Sequence, residues 1–315
     1  MRQQKKCCPI QFKDDFEEFI EYLRLRPLRE STIKYQHDIL IPILLNFDSY
    51  GVKSWNELSP TDIYRVYQES GDKYNLIYPL RSFLQFLQKT GRILKDYTVY
   101  IPKNKKRYPP PSVYSKDEIK KFLESFDLDN PFERRNYTIA LLALHLGLRG
   151  GDISNLRLTD VDFSANKITF IQQKTNVPHC LELVQEVKEP LKYYIKKIRP
   201  NSIYDNIFLS FTKHPHPIRG ANIHGALKRH FLKSGILVNE RKCGLHSLRM
   251  TFASDLIAEH VPYAVVGKIL GHEHYQSAKR YIKFDIEALR TCALDVPSPT
   301  GKISQFILGE GRLPL

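Results

Sequence analysis

Residues 101–114 read Ile-Pro-Lys-Asn-Lys-Lys-Arg-Tyr-Pro-Pro-Pro-Ser-Val-Tyr, and no regular element can run through them. Each proline fixes φ and removes a backbone donor, so a run of three ends a helix and is excluded from the middle of a sheet. Proline and charge together mark a stiff linker. The chain of 315 residues is therefore expected to fold as two bodies, one over residues 10–100 and a larger one from residue 115. The cations Lys103, Lys105, Lys106 and Arg107 suit a linker that crosses a nucleic-acid backbone, and they equally suit an ordinary solvated linker.

Before the linker the pattern is helical. Phe12, Phe16, Phe19, Ile20 and Leu23 recur at helical spacing between charged residues. Ser31 is expected to cap a second helix, with Pro42 kinking it or ending its first part. Ser59-Pro60 with Asp62 reads as another start, and Leu76 to Leu87 as a last helix that Gly91 ends. Such short helices make a small bundle with no chemistry of its own.

After the linker, Ser115 and Glu118 form a capping box, and a buried helix is expected over 137–146. Residues 160–165 read as a turn. Strands are expected over 167–173 and 177–184, around a turn at Lys174-Thr175-Asn176, with helices over 186–198, 220–234, 247–258 and 262–270. The fold class is mainly α with a small antiparallel sheet. The tail 291–315 carries Ile303, Phe306, Ile307 and Leu308, an apolar run too short to bury itself, and is expected to dock on a neighbouring protomer.

The formal charge of +14 favours a polyanionic partner. A hydrophobic share of 42% and an aromatic share of 11% support a folded chain rather than a disordered one. No apolar run is long enough for a bilayer and no apolar core follows the basic start, so a soluble cytoplasmic protein is expected. The five cysteines are scattered and form neither a disulfide framework nor a zinc pattern.

Chemistry concentrates late in the chain. His246-Ser247-Leu248-Arg249, Leu270-Gly271-His272 and Tyr281 follow an earlier Leu148-Arg149-Gly150-Gly151-Asp152, with Lys174 between. A phosphodiester transition state spreads negative charge over its non-bridging oxygens, and guanidinium forks match those oxygens bidentately. Nearby cations favour the phenolate of a tyrosine, and a histidine can take its proton or bind a phosphate oxygen. Lys174, on a turn, suits a general acid for the departing sugar oxygen. His246 and Arg249, three apart, are expected on one helix face. His272 and Tyr281, nine apart, converge only if a turn intervenes, for which Gly271 is placed. Asp152 is read as a structural partner of a cation. This set needs no metal and no other cofactor.

These motifs resemble the tyrosine recombinase (phage integrase) family over roughly residues 10–290. The resemblance rests on Leu141 to Leu156 around Arg149 and Asp152, on Gln173-Lys174-Thr175, on His246-x-x-Arg249 with Thr251-Phe252-Ala253, on Leu270-Gly271-His272, and on Tyr281 at the family's separation. Gly150, Gly151 and Lys283 depart from common family residues without removing a catalytic group. The resemblance implies a SAM-like core-binding bundle over 10–100, a catalytic domain over 115–290, and the two clamping duplex DNA. It also implies a 3′-phosphotyrosyl intermediate, strand exchange, a homo-tetramer on two duplexes and accessory DNA-bending or directionality factors. Phage integrase, transposase and dimer-resolvase roles all remain open, as does the target site. Two other readings stay open: a type IB topoisomerase-like enzyme, and a non-catalytic DNA-binding protein on the same scaffold. A metal site at His214, His216, His224 and His230 lacks ligand spacing, Asp160 and Asp162 read as turn residues, and no phosphate-binding loop for ATP is present.

Overall fold

The computed structural model describes residues 7–103 and 112–271. They fall into two compact units divided between Tyr108 and Pro109. Both ends of the proline-rich segment are anchored: Ile101 is buried in the first core and Tyr114 in the second.

The first unit contains helices α1 (Ile10–Arg24), α2 (Glu30–Ser49), α3 (Pro60–Glu69) and α4 (Lys73–Lys89). Phe12, Phe19, Leu40, Phe47, Leu80 and Phe83 fill its core. Helix α3 opens with Ser59 and Asp62 as a reciprocal capping box and Pro60 in its first turn. Two expectations are corrected. Helix α2 is preceded by Arg29, with Ser31 inside it, and it continues past Pro42 to Ser49 instead of ending there. Pro42 and the Asp38 whose carbonyl it leaves without a helical donor are both exposed, so water can serve that carbonyl, while Ile43, Leu44 and Phe47 bury the next turn. Pro79 inside α4 has a different remedy: the Tyr35 hydroxyl donates to the carbonyl of Asn75, four residues earlier, at 3.0 Å.

The second unit is built on α6 (Pro131–His145), buried continuously from Thr138 to Leu144. It follows α5 (Lys116–Glu124), which opens on the expected Ser115–Glu118 box. Helix α7 (Gly150–Asn155) leads to strands β1 (Val161–Asp162), β2 (Lys167–Ile171) and β3 (Pro178–Glu182). The sheet is antiparallel in the order β1-β2-β3, with Ile168 opposite Leu181 and Thr169 opposite Cys180. The turn expected at 160–165 therefore contains a strand, too short at two residues to show a period of its own. Helices α8 (Gln185–Tyr193, continued by a π turn to Ile198), α9 (Gly220–Lys233), α10 (Leu245–Ala258) and α11 (Tyr263–Ile269) complete the unit. Helices α8, α9 and α10 pack against α6. Among the described residues no helix is long and apolar enough to cross a membrane.

Candidate active site

The site is made where two helices stop. Helix α6 ends before Gly147 (φ +61°), and α11 ends before Gly271 (φ +61°). Both glycines take the left-handed conformation that reverses a chain after a helix, a conformation costly to other residues. The two stops touch: a Cβ on Gly147 would lie 2.6 Å from Leu270 Cδ2 and 2.7 Å from Phe252 Cδ1. A helix end leaves carbonyls without intrahelical donors and carries partial negative charge, which suits cations.

Two arginines take up these carbonyls. Arg249, on α10 and only 4% exposed, donates through Nη1 to the Gly147 carbonyl and through Nη2 to the Leu270 carbonyl at 2.8 Å. It thus ties both stops together. Arg149, just before α7, donates through Nη2 to the Gly271 carbonyl at 3.1 Å and through Nη1 to Gln172 Oε1 at 3.0 Å. Its other neighbour is Asp152, 3% exposed, whose Oδ2 lies 3.8 Å from Arg149 Nη1. The carboxylate is thus within ion-pair distance of the guanidinium.

The hairpin between β2 and β3 closes the site. Asp152 Oδ1 accepts from the Gln173 backbone N–H at 2.8 Å, holding the turn that carries Lys174. Thr175 Oγ1 donates to Gln172 Oε1 at 2.8 Å. Gln172 is 2% exposed and sits directly on Gly271, where a Cβ would collide with its carboxamide. A Cβ on Gly151 would meet only the end of the exposed Gln173 side chain, which can swing away. Lys174 itself is exposed.

His246 and Arg249 lie in the first turns of α10, but they do not share an environment: His246 is exposed and the guanidinium is buried. Helix α10 is packed on most sides from Ser247 to Thr251, so a spacing of three sets the angle but not the depth. Lys103 is exposed. Lys105, Lys106, Arg107, His272, Tyr281 and the tail 291–315 lie outside the described residues.

Sequence reasoning missed Gln172 and His179. His179 Nε2 lies 2.8 Å from the Ile269 carbonyl. Burial holds the His179 imidazole below its ordinary value; its bond to Ile269 opposes this and the neighbouring Arg249 reinforces it. The available signal was period two: His179 and Leu181 take the less exposed positions of β3, so His179 is polar on an inward face.

Residues 113–287 match the model of the phage integrase family, which is more than half of the chain. The chain belongs to the phage integrase (tyrosine recombinase) family. A Sinorhizobium fredii protein named as an integrase/recombinase, y4rA, is 28% identical over 285 residues, covering 85% of this chain and 67% of that protein. The tyrosine recombinase XerC of Lactobacillus delbrueckii subsp. bulgaricus is 24% identical over 286 residues, covering 87% and 95%. The fold is similar to that of a lambda integrase dimer bound to a COC′ core site, with a TM-score of 0.69 and 17% identity over 85% of this chain and 94% of that one.

Proposed function

We propose that this chain is a site-specific DNA recombinase that cuts and rejoins duplex DNA through a 3′-phosphotyrosyl intermediate. The observation that carries the reading is the meeting of Arg149 and Arg249, 100 residues apart in sequence, at the end of α11, immediately before His272. Fixed guanidiniums in a partly buried corner are what a phosphoryl-transfer transition state requires.

In this mechanism the Tyr281 oxygen attacks the scissile phosphorus and the 5′-oxygen leaves, taking a proton from Lys174. Arg149 and Arg249 hold the non-bridging oxygens, and His246 and His272 hydrogen-bond the phosphate or take the phenolic proton. Asp152 acts through Arg149 and through the Gln173 amide. A 5′-hydroxyl of a second duplex then attacks the tyrosyl phosphate and releases Tyr281. One phosphoester replaces another at each step, so the bond energy is retained and ATP is not needed.

The assembly proposed is a homo-tetramer on two duplexes in the cytoplasm, serving a mobile element or phage, with accessory bending or directionality factors. The first unit and Lys103, Lys105, Lys106 and Arg107 contact DNA, and the tail 291–315 docks on a neighbouring protomer. The test is a nicked duplex enriched from a random-sequence pool by binding to the chain. The wild-type chain becomes covalently attached and Tyr281→Phe does not; attachment of the phenylalanine variant, or none by wild type, overturns the reading.

A further inference from the structure

Three successive carbonyls at the end of α11 are taken up from three different elements. Ile269 O is paired with His179 Nε2 at 2.8 Å, Leu270 O with Arg249 Nη2 at 2.8 Å, and Gly271 O with Arg149 Nη2 at 3.1 Å. Two of these donors are the guanidiniums of the proposed phosphate chemistry. The third belongs to β3 and has no place in that chemistry. Core packing alone does not call for it, since an apolar side chain at this inward position would bury without needing a partner.

We infer that His179 is a positioning residue for strand cleavage: by holding the Ile269 carbonyl it fixes where α11 stops, and so where the two guanidiniums stand. The catalytic consequence rests on the function proposed above; the fixing of the helix stop does not. The last turn of a helix frays when its carbonyls lack donors. A stop free to shift would carry with it the Leu270 and Gly271 carbonyls that orient Arg249 and Arg149, and the start of the segment that continues to His272. The opposite strand end grips the same corner, because Gln172 lies against Gly271 and bonds Arg149. Gln172 and His179 flank the turn that carries Lys174, so one hairpin sets Lys174 and the arginines against a common reference.

The experiment compares His179→Ala, His179→Phe and His179→Gln with wild type, using the enriched nicked duplex. The readouts are the single-turnover rate of covalent attachment, affinity for the same duplex, and amide hydrogen exchange over residues 263–271. The alanine and phenylalanine variants should attach about tenfold more slowly or worse, since a displacement near 1 Å can cost on the order of a hundredfold. Their DNA affinity should stay near that of wild type, and exchange at the end of α11 should rise. Glutamine keeps an N–H donor and should recover most of the rate and the protection. Wild-type rates in all three variants overturn the proposal, and so does an equal loss in all three, which would mean packing alone. Should wild type itself never attach, the proposed function fails and the exchange measurement decides this inference: unchanged protection in His179→Ala overturns it, and lost protection restored by glutamine upholds it.

Discussion

Gly147→Ala separates two costs that meet at one residue. The first is conformational: Gly147 has φ +61°, and an L-residue there loses about 1–2 kcal/mol. The second is steric, because the new methyl carbon would stand 2.6 Å from Leu270 Cδ2 and 2.7 Å from Phe252 Cδ1. Both neighbours belong to a packed apolar cluster with Met250, Ala253 and Val266, and overfilling such a site costs about 1–3 kcal/mol. The sum, centred near ~3.5 kcal/mol, corresponds to a fall in Tm of about 7–14 °C for a unit of this size. Gly235→Ala is the control in the same unit: φ is +70°, and no described atom lies within 4 Å of the added carbon. It should lose only the conformational part, about 1–2 kcal/mol. The assay is thermal unfolding followed by circular dichroism. Fluorescence of Trp55, the chain's one tryptophan, reports the first unit and should not move in either variant. A Gly147→Ala loss no larger than that of Gly235→Ala would refute the argument that the two helix stops are pressed together.

Two further outcomes are expected. The second unit should lose stability as pH falls from 7 to 5, because burial holds the imidazoles of His145, His179 and His230 below the ordinary 6.5. Between the lowered values and 6.5 the unfolded chain binds more protons than the folded one, so unfolding takes up protons and acid favours it; a urea midpoint that is flat or rises toward pH 5 would contradict this. Gln36→Leu should stabilise the first unit by about 1–3 kcal/mol, since the buried Gln36 carboxamide has no hydrogen-bond partner for either its oxygen or its nitrogen among the described residues. A lower Trp55 unfolding midpoint in that variant would count against it.

Much of the architecture was legible because it is local. The helix start at Ser59-Pro60, the Ser115–Glu118 box, the apolar spacing of Phe12, Phe16 and Phe19, and the stop at Gly271 each depend on residues within a turn or two of one another. The same short range explains the errors. Pro42 reads as a breaker until the solvent around it and the core beneath the next turn are known, and β1 is too short to announce itself.

The motifs also named Arg149, Lys174, His246 and Arg249 as candidates, since residue type and order are properties of the chain alone. Depth and convergence are not. That Arg249 is buried while His246 is exposed, that one guanidinium joins the ends of α6 and α11, and that Gln172 and His179 hold the same corner are decided only when distant segments pack. Hydrogen bonds to main-chain carbonyls leave no trace in the identity of the accepting residue, because every residue offers the same carbonyl. Sequence therefore determined most of the helices, the stops at Gly91 and Gly271 and the candidate side chains; folding alone determined which stops meet and which donors satisfy them.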